Sequence, residues 1–139
     1  MKSAKNRVLL GVAAIGVMVL SNIPAYAQSV KLRVDIPFAF HAGEKTLPAG
    51  TYTVERRGDA IRISDRNGHA AAVLANAVDN DGANLGNRVL FNRYGEMLFL
   101  SEVQWNGYSA ARRVITSSAE RKLGEASPPD RVMRAAIAR

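Results

Sequence analysis

Residues 34–55, VDIPFAFHAGEKTLPAGTYTVE, constrain this chain more than any other stretch. Val34, Ile36, Phe38 and Phe40 alternate with Asp35, Pro37 and Ala39, the period of a strand with one face buried. Leu47-Pro48-Ala49-Gly50 interrupts that pattern with turn chemistry. Thr51-Tyr52-Thr53-Val54 then resumes it with β-branched and aromatic residues. Pro37 has no N–H to give to a ladder, so it marks a bend, a bulge or an edge. Residues 41–45 read as a polar turn. Two half-buried strands this close together need further strands to cover them.

The rest of the chain supplies those strands. Gly58-Asp59 suits a two-residue hairpin between residues 51–57 and 60–65. Asn67-Gly68 predicts a type I′ hairpin into residues 69–78, HAAAVLANAV. That run is Ala-rich enough for a helix, but its hairpin-like flanks favour a strand. Residues 79–87, DNDGANLGN, read as a loop, 88–93 as a strand and Tyr94-Gly95 as a turn. Residues 97–104 are apolar on both faces, with Phe99, Val103 and Trp105 on one side and Leu98 and Leu100 on the other, which predicts a central strand. Asn106-Gly107 predicts a second tight hairpin, placing Trp105 opposite Tyr108 before a last strand over 109–116. Ser117 with Glu120 fits a capping box opening a short helix over 118–125, docked through Ala119 and Leu123. The fold class is therefore mainly β: an antiparallel meander closing into a small barrel or a two-sheet sandwich, with a short C-terminal helix.

The N-terminus reads as an export signal. Lys2, Lys5 and Arg7 precede an apolar, uncharged run over residues 8–20, and Ala25-Tyr26-Ala27 has the small-x-small form of a cleavage site. The run is 13 residues, short of the roughly 20 a spanning helix needs. Residues 1–27 are thus expected to be a signal peptide, 28–127 an exported β-domain and 128–139 a basic tail. No later segment is apolar enough for a transmembrane helix, which leaves a periplasmic or secreted protein. There is no cysteine, so no disulfide supports the fold. Without the signal, 16 basic and 12 acidic residues remain, net +4, and residues 112–139 carry all of it. The body over 28–111 holds nine of each sign, which argues against nucleic acid as a partner. After Pro129, Asp130 is positioned to cap a last helical piece. Val132, Met133 and Ile137 are few to offset the cost of ordering it, so this tail is expected to be separable from the fold.

Chemistry-bearing patterns are sparse. There is no G-x-S-x-G elbow and no S-x-x-K. His41 and His69 both fall at expected turns, and His41 with Glu44 makes a conceivable acid–base or metal pair, although two ligands do not close a zinc site. His41, Glu44, Arg62 and Trp105 are the candidate ligand-binding residues. Asp79, Asp81 and Asn84 offer oxygen ligands to a cation, but their spacing departs from a calcium loop. No cofactor is implied. Arg56, Arg57, Arg62, Arg66, Arg88 and Arg93 lie on polar faces or beside turns, where folding either gathers them into an anion site or spreads them over a solvated surface.

Three segments carry a resemblance. IPFAFHAGEKTLPAGTYTV, the run YGEMLFLS at 94–101 and SSAER at 117–121 resemble a pattern of small exported bacterial β-domain proteins of unassigned function. The resemblance implies an exported β-domain and brings no activity or binding residue with it. Three functions stay open: a non-enzymatic binding or envelope-associated structural module, a lipocalin-like carrier of a small apolar ligand, and a small hydrolase or isomerase using His41 and Glu44. A carrier needs an apolar cavity, and an enzyme needs a cleft that brings a histidine to carboxylates.

Overall fold

The alternation that begins at Lys31 builds β1 (Lys31–Ile36), with Leu32, Val34 and Ile36 buried and Lys31, Arg33 and Asp35 exposed. The computed structural model describes residues 30–79, 86–107 and 110–138. The export signal and its Ala25-Tyr26-Ala27 site lie outside the described residues. Pro37 ends β1, and β2 (Phe40–Ala42) turns through Gly43-Glu44 into β3 (Lys45–Leu47). His41 therefore stands in a strand rather than a turn. Gly43 has φ +61, and a side chain there would meet Val73 Cγ1 at 3.1 Å, so the tight turn and the close approach both need glycine.

β4 (Gly50–Arg57) pairs along the whole of β1, from Lys31↔Glu55 to Ile36↔Gly50. Its Tyr52 is fully buried and donates its hydroxyl to the carbonyl of Pro48 at 2.5 Å, which pins the Leu47–Gly50 turn to the strand that follows. The two-residue turn at Gly58-Asp59 leads into β5 (Ala60–Ser64), as the sequence predicts, with Gly58 at φ +58. The next turn differs. Ser64 pairs with Ala70, and Asp65 N–H donates to the His69 carbonyl at 2.9 Å, so Arg66-Asn67-Gly68 form a three-residue loop. Asp65 Oδ1 accepts from the N–H of Asn67 (3.0 Å) and of His69 (2.8 Å), and this side-chain template replaces the two-residue type I′ turn.

β6 (Ala70–Asp79) is a strand, not a helix. Its first half pairs with β5 and its second half with β9 (Ala110–Val114), so the strand passes from one set of ladders to the other at Leu74 and Ala75. β7 (Arg88–Tyr94) and β8 (Met97–Gln104) complete the second set. The expected faces of β8 are corrected by a bulge: Leu90 pairs with Glu102 but Phe91 with Leu100, leaving Ser101 as the extra residue. Leu100, Val103 and Trp105 consequently share the core, with Leu98 packed against it, while Phe99 leaves that cluster and stacks on His41. Gly107 has the positive φ (+82) that its turn requires. Tyr108, and with it the expected pairing to Trp105, lies outside the described residues.

Ser117 caps α1 (Ser118–Ala126) by accepting the Glu120 N–H at 3.2 Å. Docking differs from expectation, because Ala119 is exposed and Leu123 only half-buried. The anchor is Glu120, 5 % exposed, whose Oε1 accepts from Asn92 Nδ2 (3.0 Å) and from the Tyr94 hydroxyl (3.3 Å). The segment beyond Pro129 is not helical. It forms β10 (Asp130–Ala135), paired over six positions with β7, and after a break at Ala136 it forms β11 (Ile137–Ala138), paired with β1. The supposed tail thus lies along both ends of the strand order.

That order is β10-β7-β8-β9-β6-β5-β4-β1-β11, with the β2–β3 hairpin attached to β8 through a parallel His41↔Phe99 pair. The fold is mainly β, with one short helix near the C-terminus among the described residues. The sheet is not closed: no ladder joins β10 to β11, so the pairing does not make a barrel. Only β4-β5-β6 and β7-β8-β9 run as meanders. One core fills the interior, in which Phe40 meets Tyr52 and Phe91 edge-on at 5.3 and 5.4 Å.

Candidate functional site

Strand period places residues 31 and 33 of β1, 51, 53 and 55 of β4 and 62 and 64 of β5 on the outer face of the sheet. Register aligns them in rows. Lys31 stands opposite Glu55 and Glu55 opposite Arg62; Arg33 stands opposite Thr53 and Thr53 opposite Ser64. With the flanking loops at Pro48–Gly50 and Asp65–His69, these rows floor a concavity of about 790 Å³, to which Arg57 and Arg66 add two more cations. Five basic side chains meet two carboxylates there, and both carboxylates are already engaged. Glu55 pairs with Arg57 Nε at 3.3 Å, and Asp65 with the His69 ring at 2.8 Å. Lys31, Arg33, Arg62 and Arg66 have no ion pair among the described residues. At the far end of β1, Asp35 Oδ1 accepts the Thr51 hydroxyl at 2.6 Å.

Asp65 sets the shape of one wall. Burial of the side chain works to raise its pKa, but hydrogen bonds from the His69 ring and from the N–H groups of His69 and Asn67, with the His69 charge, hold it below the ordinary 3.8. Under the opposite wall, burial first and then the Asp65 charge push the Tyr52 hydroxyl above its ordinary 10.0. That hydroxyl is a hydrogen-bond donor to structure and not a proton-transfer group.

The predicted ligand-binding residues are only partly brought together. Glu44 and Arg62 line a second cleft of about 440 Å³ with Lys45 and Ala70, Ala71 and Ala72, and Arg62 belongs to both concavities. His41 is elsewhere: its ring lies on Phe99 (centroids 4.6 Å apart, planes 22°) and its Nδ1 is 3.0 Å from Thr46 Oγ1. Among the described residues no hydrogen bond or ion pair joins His41 to Glu44. Trp105 is buried in the core, 3 % exposed. Asp79 ends β6 on the surface, while Asp81 and Asn84 lie outside the described residues. Among the described residues, no three His, Asp or Glu side chains group closely enough to hold a metal ion. Nor is any described helix long and apolar enough to cross a membrane. No family model, no curated protein and no solved structure matches the chain.

A third groove, about 360 Å³, runs between α1 and the outer face of β7 to β10. Sequence reasoning missed two buried carboxylates here: Glu120, which lines the groove, and Glu102, whose partners Arg113 and Arg131 line it. Glu102 accepts Gln104 Nε2 at 2.9 Å and meets Arg131 at 3.3 Å and Arg113 at 3.6 Å; Gln104 in turn accepts Arg88 Nε. Glu120 is held as described above, and burial together with its charge raises the Tyr94 hydroxyl above 10.0. Every charge here has a partner, so this groove is a joint between the helix, β10 and the sheet. Its only early signal was Glu120 in the capping pattern, which gave the helix start and not the buried role.

Proposed function

We propose that this chain is an exported, non-enzymatic binding module of the cell envelope that holds an oxyanion-rich ligand, bearing phosphate or carboxylate groups, on the outer face of β1, β4 and β5. One observation carries the reading: Lys31, Arg33, Arg62 and Arg66 surround one concavity of about 790 Å³ without an ion-pair partner among the described residues. Among the described residues the walls contain no Phe, Tyr or Trp on which a sugar or base would stack. Recognition is then by charge, with the Ser64 hydroxyl beside it on the same face. Export rests on the N-terminal signal pattern and on the resemblance of residues 36–54. The carrier reading is less favoured, since Tyr52, Phe40, Phe91 and Leu100 fill the interior and the clefts described are lined largely by polar and small side chains. The enzyme reading is less favoured because the His41 ring is engaged by Phe99 and Thr46, and the cleft that Glu44 lines does not include it. Within this proposal the two ladder sets, which share β6, act as the two layers of a sandwich.

Phosphocellulose chromatography tests the site. Arg33→Gln with Arg62→Gln should elute at clearly lower salt than the parent chain. Arg121→Gln with Lys122→Gln, which removes the same charge from the exposed surface of α1, should shift elution much less. Equal shifts for the two pairs would mean that net charge alone governs retention, and the proposed face would have no special part in it.

A further inference from the structure

Val103 and Arg112 stand directly opposite each other on β8 and β9, and Val103 is fully buried in the core. Opposed residues of an antiparallel pair point to the same face, so the Arg112 side chain leaves β9 on the core side, as Val114 does two residues on. Trp105, two residues past Val103, is the diagonal neighbour of Arg112 on that face and is 3 % exposed. The indole Nε1–H of Trp105 and the guanidinium Nε–H of Arg112 are both buried, and neither has a hydrogen-bond partner among the described residues. The Arg112 side chain is 12 % exposed. It makes a long ion pair, Nη1 to Asp59 Oδ1 at 3.5 Å, with a carboxylate side chain that is itself 90 % exposed.

Buried N–H groups in folded proteins almost always have an acceptor. Here two donors lack one, on neighbouring side chains at one end of the core, and one of them belongs to a largely desolvated cation. Tryptophan and arginine are donors only, so whatever meets them must accept. Water would satisfy two hydrogen bonds and leave the Arg112 charge compensated only by the solvent-exposed Asp59 carboxylate. An anion would do both. Ala77, opposite Arg112 on β6, is small and exposed, so solvent borders this end of the face. We propose that Trp105 and Arg112 form a binding site for a small oxyanion, a carboxylate or phosphate, whose oxygens accept from Trp105 Nε1 and Arg112 Nε. The site is separate from the outer face of β1, β4 and β5 and does not depend on it.

Trp105 is the chain's one tryptophan, so its fluorescence reports on this site alone. The purified chain would be titrated with sodium acetate and, separately, with inorganic phosphate, against sodium chloride at matched ionic strength. The expected result is a saturable change in emission with at least one oxyanion and none with chloride. In Arg112→Met the midpoint should move to roughly tenfold higher concentration or beyond, the loss of a charge-assisted hydrogen bond. Arg33→Gln with Arg62→Gln should titrate like the parent; loss of the signal there would move the oxyanion to the outer face and overturn the assignment. An absent response, or an Arg112→Met chain with parental circular dichroism and a parental midpoint, would also overturn it and leave a water in the site. Should Arg112→Met fail to fold, Trp105→Phe decides through thermal shift. Acetate and phosphate must then raise its Tm less than they raise the parent's, and equal stabilisation refutes the proposal.

Discussion

Removing residues 128–139 should unfold the protein at a clearly lower temperature. Those residues contribute β10 and β11, eight paired positions in all, six on β7 and two on β1. The net worth of each ladder hydrogen bond, ~1 kcal/mol, is of the order of the entropy cost of ordering each residue, ~1–2 kcal/mol, so these two terms largely offset. The surplus lies in what the segment does for the rest of the fold. Val132 is half-buried against the core, worth about 1 kcal/mol, half of a full burial. Glu102, 5 % exposed, loses Arg131 and keeps Arg113 and Gln104, a cost of ~1–3 kcal/mol for a weakened buried charge. The sum, ~2–4 kcal/mol, corresponds to a Tm lower by about 10–20 °C for a domain of this size. Truncation after Ser117 also removes α1, which buries only Glu120, and should add less than the first cut did. Differential scanning calorimetry of the three chains decides. A Tm within about 2 °C of the parent after the first truncation would show that β10 and β11 contribute nothing to the body and that the energetic reading of this segment is wrong.

Two further perturbations probe the walls of the outer concavity. Tyr52→Phe removes the hydroxyl that Pro48 accepts and should cost about 1 kcal/mol, or some 3–6 °C in Tm, while phosphocellulose retention stays at the parental value; an unchanged Tm would mean the turn is held by other contacts. Asp65 has its pKa lowered on folding, so the charged carboxylate favours the folded state; that stabilisation is complete above about pH 4 and is lost as pH falls through the lowered folded value. The Tm difference between the parent and Asp65→Asn should accordingly shrink as pH falls from about 5 to about 3, and a difference that persists undiminished at about pH 3 would refute the linkage.

Where the two-residue period is clean, strands were readable from sequence. Leu32, Val34 and Ile36 in β1 and Ile61 and Ile63 in β5 alternate with polar residues, and burial follows them without exception. The helix start was readable for the same local reason, since Ser117 and Glu120 sit at capping distance. Failures came where a tertiary partner outweighed the local signal. Asn67-Gly68 is a strong two-residue hairpin signal, yet Asp65 captures two backbone N–H groups and lengthens the loop by one. In β8 the inserted Ser101 shifts every residue before it to the opposite side from the one a strict alternation assigns, and Phe99 ends against His41 instead of Val103. The sequence DRVMRA at 130–135 is a weak helix and a weak strand. Only the free edge of β7 makes it a strand, and that edge is invisible until the sheet is assembled.

The candidate site shows the same limit in the charges. Counted along the chain, residues 28–111 are neutral, with nine cations and nine anions, and such a count argues against an anionic partner. Neutrality in sequence is not neutrality in space. A register that puts residues 31 and 33 beside 53 and 55, and those beside 62 and 64, collects cations from three strands onto one face, while Glu102 is drawn to β8, Glu96 to a turn and Asp79 to the end of β6. Slipping β4 by one residue against β1 would exchange Glu55 for Val54 on that face and bury the carboxylate in the core. The apolar residues of β1 and β4 forbid the slip, because Leu32, Val34, Tyr52 and Val54 must all point inward. The burial pattern that fixes the core therefore also fixes which charges meet on the outside, and the positive face follows from the hydrophobic register.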